Sequence, residues 1–125
     1  MKEANSVDRK FSREMSSGTV SLALLAILDQ VEEPQYGYRI AREMSQAEGD
    51  FQLIKQGALY PVLKSLEKNG LLKSTVEPSV SGPPRRYYSI TPEGRLALER
   101  WKSIWMETNR VINRILGGRF NEQQH

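Results

Sequence analysis

The chain has 125 residues, a formal net charge of +3, no cysteine and a single histidine, His125, at its last position. Without cysteine there is no disulfide or thiol chemistry, and without an internal histidine a zinc site or a Ser-His hydrolase is a poor hypothesis. A chain of this length is expected to form one domain that buries its own core.

The hydropathy of the chain argues against a membrane protein. Its longest apolar run, residues 22–28, is too short to cross a bilayer, and residues 1–14 contain no apolar signal region. We therefore expect a soluble, cytoplasmic protein with no membrane partner.

Charge is distributed unevenly along the chain. Residues 55–86 contain six basic and two acidic side chains, whereas residues 29–50 contain two basic and six acidic ones. A chain that separates its charges in this way presents one basic face, which suits a polyanionic partner. The alternative is chance clustering of solvated charges.

The chain opens with a polar segment followed by an apolar one. Residues 1–16 are expected to be helical in part or disordered, with Phe11 and Met15 four positions apart. Residues 19–31 form a long apolar run without turn residues, which predicts a buried helix. Gly18 is either the start of that helix or a weak point in it.

A second, shorter helix is predicted over residues 38–47. Pro34 ends the first helix, and an apolar face then recurs at helical spacing. Tyr38 stands at the start of this helix, where an exposed ring would reach a DNA phosphate. Half-buried packing of Tyr38 is the alternative.

The third predicted helix carries an apolar stripe and ends sharply. Asn69-Gly70 stops it, because glycine adopts the left-handed conformation that closes a helix. Pro61 is tolerated only in a first turn, so the helix is predicted to begin close to Gln56. The stripe consists of Leu59, Val62, Leu63 and Leu66.

The opposite side of the third helix is basic and rich in hydrogen-bonding groups. In helix-turn-helix docking, the N-terminal end of such a helix enters the DNA major groove. The alternative is an ordinary amphipathic surface helix. The candidate DNA-contacting residues here are Gln56, Gly57, Ala58, Tyr60 and Lys64.

A β-hairpin is predicted after the third helix. Residues 71–77 and 85–90 have strand character, and residues 78–84 form a loop rich in Pro, Ser and Gly. Three helices followed by a hairpin is the order of a winged helix-turn-helix. Arg85 and Arg86, beside the loop, are candidate contacts to phosphate or the minor groove. Solvated strand ends are the alternative.

The last predicted helix spans residues 92–116 and has two apolar lines. Thr91 is suited to cap it, and Pro92 fits its first position. One line includes Ile104 and Val111. Two lines need two partners, namely the chain's own domain and the same helix of a second subunit. The alternative is that both lines pack within one chain. The other line, the expected dimer seam, is Leu98, Trp101, Trp105, Thr108, Ile112 and Ile115.

These elements predict a mainly α fold with a small β-hairpin. A winged helix-turn-helix domain over residues 17–91 follows the N-terminal segment 1–16. It leads into a dimerisation helix over residues 92–118, and residues 119–125 are expected to be a disordered tail.

Several motifs together resemble the PadR family of bacterial transcription regulators, in its shorter subgroup with a single C-terminal helix. They are LALLAIL at 22–28, YGYRIAREM at 36–44, GALYPVLKSLEKNGLL at 57–72, RRYYSITPEG at 85–94, and Trp105. The resemblance implies a winged-helix homodimer that binds a palindromic DNA operator, usually as a repressor. In some members of the family a small aromatic effector stacks on tryptophans of the long helix between the subunits, and a place in the dimer core is the alternative role for such a tryptophan. Trp105 matches that position, and Trp101 is an additional aromatic beside it.

Two other classes of function compete with a DNA-binding regulator. One is a winged-helix module that binds protein or RNA and no operator. The other is an enzyme, which the sequence disfavours because there is no Gly-rich phosphate loop and no cluster of metal ligands. We expect no catalytic site, no metal and no cofactor. The available carboxylates all appear at solvated helix positions: Glu43, Glu67, Glu93 and Glu99.

Overall fold

The computed structural model describes residues 6–48 and 58–118. Four helices and a small antiparallel sheet account for most of them, so the predicted fold class is confirmed. In chain order the elements are α1 (Ser6–Asp29), β1 (Gln35–Tyr36), α2 (Gly37–Glu48), α3 (Leu59–Lys68), β2 (Leu72–Glu77), β3 (Arg85–Ile90) and α4 (Pro92–Leu116).

The predicted hairpin is present and gains a third strand. β2 and β3 pair antiparallel from Leu72 opposite Ile90 to Glu77 opposite Arg85. β1 pairs with the other edge of β3, which gives the order β1-β3-β2. The sequence does not predict β1, because two residues are too few to show the alternation that identifies a strand.

α1 is one continuous helix and begins well before the position that the sequence predicts. It passes through Gly18 and through the predicted boundary between residues 16 and 17. A single glycine in a helix costs only about 1 kcal/mol relative to alanine, and no proline interrupts this stretch. The Thr19 hydroxyl donates to the carbonyl of Met15 at 3.0 Å within this continuous helix.

The core lies where the second half of α1 meets α2, α3, the sheet and the start of α4. Every helix contributes leucine, isoleucine, methionine or alanine, and the sheet contributes one large aromatic side chain. Because that ring is enclosed, the sheet is fixed to the helices by its inner face. The buried residues are Val20, Leu24, Leu25, Leu28, Ile40, Met44, Leu59, Leu63, Leu66, Leu72, Tyr88, Ile90, Ala97 and Leu98.

The end of α3 is joined directly to the start of α4. The Thr91 hydroxyl donates to the Gly70 carbonyl at 2.7 Å, and the Thr91 amide donates to the Leu71 carbonyl at 3.1 Å. The same hydroxyl accepts from the Gly94 amide at 2.9 Å, so Thr91 caps α4 as the sequence predicts.

Gly94 permits this close approach. A Cβ at position 94 would collide with the Leu71 carbonyl oxygen and lie 2.7 Å from Ile90 Cγ1. Backbone cannot yield as a flexible side chain does, so the junction of α3, the sheet and α4 requires glycine here.

Within residues 6–48 and 58–118, no helix has both the length and the apolar character needed to span a bilayer.

We expect Gly94→Ala to destabilise the protein by roughly 1–3 kcal/mol, the usual cost of overpacking. The matched control is Gly18→Ala, because a Cβ there would meet nothing within 4 Å. This control should be stabilising by about 0.5–1 kcal/mol through helix propensity. Thermal unfolding of the two variants measures the opposite signs, and equal midpoints would contradict this account of the junction.

Candidate nucleic-acid interface

α3 begins at Leu59, with Ala58 as its N-cap residue. The predicted start close to Gln56 is therefore too early. Pro61 explains the difference, because in third position its missing amide is one that an α-helix leaves unpaired in any case. Gln56 and Gly57 lie outside the described residues, so their predicted approach to DNA stays a prediction.

The outer side of α3 presents hydrogen-bonding and basic groups to solvent. Leu59, Leu63 and Leu66 turn inward, as predicted. Tyr60 is 54% exposed, and Lys64 is exposed one turn further along. Tyr60 and Lys64 are four positions apart, so they lie on the same side of the helix.

Tyr60 lies against the first turn of α2. A Cβ at Gly37 would lie 2.7 Å from Tyr60 Cζ, closer than Cβ atoms approach other atoms in proteins. Glycine at position 37 therefore makes room for the ring. This contact brings the exposed face of α3 next to Tyr38, which is 62% exposed at the start of α2.

An aromatic cluster continues this surface from α2 to the hairpin. The rings of Tyr36 and Tyr38 are stacked with centroids 6.3 Å apart, and Tyr87 meets Tyr36 edge-on at 5.5 Å. The Arg85 guanidinium lies 4.5 Å above the centre of the Tyr36 ring. A stacked guanidinium still presents its N–H edge, the part that binds phosphate.

Arg85 and Arg86 lie on opposite faces of the hairpin. Successive side chains of a strand alternate, so Arg86 shares a face with the buried residues Tyr88 and Ile90. Arg85 and Tyr87 share the other face, where both contact Tyr36. From the sequence we predict the same DNA-contacting role for both arginines, whereas in the structure they have different neighbours.

Arg86 is hydrogen-bonded within the protein. Its Nη1 donates to the Ser74 hydroxyl at 2.9 Å, and that hydroxyl donates to Glu67 Oε2 at 2.6 Å. Tyr88 lies beside this chain of groups. Burial raises the pKa of its hydroxyl, Arg86 opposes the rise and Glu67 adds to it, so Tyr88 remains uncharged at neutral pH.

The β2–β3 hairpin is the wing of this fold, and we define the α3–wing surface as the exposed region built from Tyr38, Tyr60, Lys64 and Arg85. It combines phenol hydroxyls and cations without an exposed acid among its members. Such groups bind phosphates and base edges. The described residues include no group of three or more His, Asp or Glu side chains placed to hold a metal ion.

The expected dimer seam divides between the inside and the outside of the chain. Leu98 is only 1% exposed and packs in the core of its own chain, which removes it from any contact with a second subunit. Trp101 packs partly against that core. Beyond it, Trp105, Ile112 and Ile115 are each 44–47% exposed. The polar member of the seam, Thr108, is exposed as well.

A groove of about 690 Å³ runs between residues 101–112 of α4 and residues 11–22 of α1. Both candidate effector residues, Trp101 and Trp105, line it from α4. Phe11 and Met15 line it from α1. The N-terminal segment, to which the sequence assigns no role, therefore contributes part of one wall of a mostly apolar groove.

Three contributors to the α3–wing surface and its neighbouring hydrogen bonds are not predicted from the sequence: Glu67, Ser74 and Tyr87. The doubled tyrosine after the arginines is a weak signal for aromatic packing. Ser74 has no signal, because its importance depends on the register between β2 and β3.

Comparison with known proteins gives one family. Residues 24–100 match the sequence model of the family described as "Transcriptional regulator PadR-like family". The transcriptional regulator Rv3488 of Mycobacterium tuberculosis is 42% identical over 65 residues, which cover 52% of this chain and 57% of that protein. Rv1176c of the same organism is 29% identical over 70 residues, covering 56% of this chain and 37% of that protein. The matches thus span less than two thirds of either relative.

Solved structures agree with the family match and confirm the winged-helix fold. A transcriptional regulator from Clostridium thermocellum superposes with a TM-score of 0.70 at 33% identity, over 81% of this chain and 93% of that chain. A PadR-like transcriptional regulator from Bacillus cereus superposes with a TM-score of 0.66 at 31% identity, over 82% of this chain and 96% of that chain.

Proposed function

The chain belongs to the PadR-like family of transcriptional regulators, and from this premise we propose that it binds a palindromic DNA operator as a homodimer and represses transcription there. The observation that carries the proposal is the α3–wing surface, where contacts at Gly37 and Tyr36 connect Tyr60 to Arg85 and Lys64 is exposed one turn along α3. A repressor needs no further chemistry, since occupying an operator beside a promoter excludes the polymerase.

In this proposal α3 enters the major groove. Lys64 reaches a guanine edge or a phosphate, and Tyr60 contributes a hydroxyl beside it. Gln56, Gly57 and Ala58 precede α3 and are proposed to approach the same groove, with Gln56 able to pair with adenine. Ala58 is exposed and small, which suits close approach of the backbone.

Arg85 and Tyr38 are proposed to contact the phosphate backbone on either side of the groove. Stacking on Tyr36 holds the Arg85 guanidinium in one orientation, so less side-chain freedom is lost when a phosphate binds. Contacts of this kind position a protein on DNA without reading sequence.

The second half of α4 is proposed to hold the homodimer. Trp105, Ile112 and Ile115 form an exposed apolar line on a helix whose first turns are packed into its own domain. Two copies of this line would bury each other around a two-fold axis. The two α3 helices would then meet half-sites about 34–36 Å apart, one turn of DNA.

A small aromatic effector is proposed to bind in the groove between α1 and α4. Its walls are apolar and include the indoles of Trp101 and Trp105, which favour stacking with a flat ring. The groove is also lined by Thr108 and Ile112 of the proposed dimer seam, so a ligand there would change how the two α4 helices pack, alter the spacing of the two α3 helices and release the operator.

Binding to DNA tests the central proposal. The probe is a set of duplexes from the region upstream of the gene, with an inverted repeat tested against its scrambled form. The wild type should prefer the repeat, and Lys64→Ala should weaken that binding by about 1–3 kcal/mol with less effect on scrambled DNA. The control is Lys102→Ala, the same change at an exposed α4 position that is paired with Glu99. No preference in the wild type would remove the operator from the proposal.

The dimer is tested by sedimentation at micromolar concentration, where the wild type should have twice the mass of one chain. Replacing Ile112 and Ile115 with Glu should give monomers, since an unpaired charge buried in an apolar interface is costly. Met106→Glu is the control, because Met106 is 68% exposed and lies across the helix from the seam. A wild type that sediments as a monomer would refute the dimer.

The effector site is tested by indole fluorescence. Acridine, a planar aromatic probe, should quench the fluorescence saturably and lower affinity for the operator. Trp105→Ala should remove the saturable quenching, whereas Trp105→Phe should retain part of it through stacking. Equal quenching of the wild type and the alanine variant would locate the ligand elsewhere.

A further inference from the structure

Three side chains connect α3 to the hairpin by a directional chain of hydrogen bonds. The Arg86 guanidinium donates to the Ser74 hydroxyl at 2.9 Å, and the hydroxyl donates to the Glu67 carboxylate at 2.6 Å. A hydroxyl can donate one hydrogen bond while accepting another, so Ser74 joins a cation and an anion that do not touch each other. Among the described residues, this is the one side-chain hydrogen-bonded link between α3 and the hairpin.

These hydrogen bonds span the turn between α3 and β2, about which the hairpin would otherwise rotate relative to α3. Only a short turn separates α3 from β2, and Gly70 in that turn has a left-handed φ of 80°. Glu67 belongs to the last turn of α3, and Ser74 lies in the third position of β2. A bond between them fixes the angle between helix and strand, and Arg86 extends the tie to β3.

Glu67 is the one acidic residue of α3. An acid close to bound DNA is repelled by phosphates, and removing it would be expected to strengthen binding. Its hydrogen bond to Ser74 gives it a different role.

We propose that Glu67, Ser74 and Arg86 form a brace that holds the wing at the angle α3 requires on DNA, so that Arg86 is a positioning residue and Arg85 the phosphate contact. This inference rests on the proposed function, since the angle matters only if α3 and the wing meet the same duplex. It assigns different roles to two adjacent arginines that the sequence treats alike.

Titrations against the inverted-repeat duplex at several salt concentrations separate the two roles. Arg85→Ala should lower the slope of log affinity against log salt by about one, as expected for a lost phosphate contact. Ser74→Ala should weaken binding about three- to tenfold with the slope unchanged, the size expected for one hydrogen bond. Arg86→Ala should behave like Ser74→Ala, and the double variant should be no weaker than Arg86→Ala alone. Ser89→Ala, the same change on the other face of the hairpin, is the control.

Glu67 provides a comparison at constant charge. Glu67→Gln keeps an oxygen that accepts from Ser74, whereas Glu67→Ala does not, and both remove the same negative charge. The brace predicts that Glu67→Ala binds the duplex about three- to tenfold more weakly than Glu67→Gln. Equal affinities of these two variants would overturn the brace. So would a salt slope that Arg86→Ala lowers as much as Arg85→Ala does.

Thermal melts separate failure of the brace from failure of the proposed function. If the wild type binds no duplex, operator binding fails, but the brace is still tested in the protein alone. Ser74→Ala and Arg86→Ala should each lower the melting temperature, and their combination should lower it by less than the sum. Additive losses would overturn the brace whether or not the protein binds DNA.

Discussion

The contact of Gly94 with the Leu71 carbonyl is the constraint on which the rest of the structure depends. It brings the turn after α3 so near the start of α4 that position 94 has no room for a Cβ, and Thr91 closes the junction with its amide and its hydroxyl. Since β2 begins and β3 ends beside this contact, the base of the hairpin is held at the same point. The end of α3, the base of the hairpin and the start of α4 therefore meet at one point.

This junction relates the two halves of the proposed mechanism. A regulator that reads two half-sites must hold its two α3 helices at a fixed separation. Here the position of α3 is tied to α4 through backbone contacts rather than through a flexible linker. A movement of α4 caused by a ligand in the groove would thus reach α3 without passing through the hydrophobic core. These backbone contacts hold only the base of the hairpin. In our proposal the angle of the wing is therefore set separately, by the hydrogen bonds of Ser74.

The sequence predicts those features that are determined by neighbouring residues. The bounds of α4 follow from Thr91, Pro92 and Gly117, and the hairpin follows from its turn residues. The sequence leaves the start of α1 open, because Gly18 is a local signal that the residues around it override. Periodicity identifies Leu98 and Ile112 as members of one apolar line on α4. It does not show that Leu98 is buried in the core of its own chain whereas Ile112 is exposed. Contacts such as Tyr60 with Gly37 require the packing of two helices, which no local pattern specifies.

The opposite orientation of Arg85 and Arg86 has a consequence for how such wings can diverge. Side-chain direction in a strand depends on whether the distance from a buried neighbour is odd or even, and Tyr88 supplies that reference point. Residues added to the loop at 78–84 do not change the number of positions between each arginine and Tyr88, so the length of the loop can vary without reorienting the arginines. One residue added between position 86 and Tyr88 would exchange the two faces. Some homologues would have a single basic residue here. Whether its distance from the buried tyrosine is an odd or an even number of positions then indicates which of the two proposed roles it has. Its alignment with one or the other arginine does not.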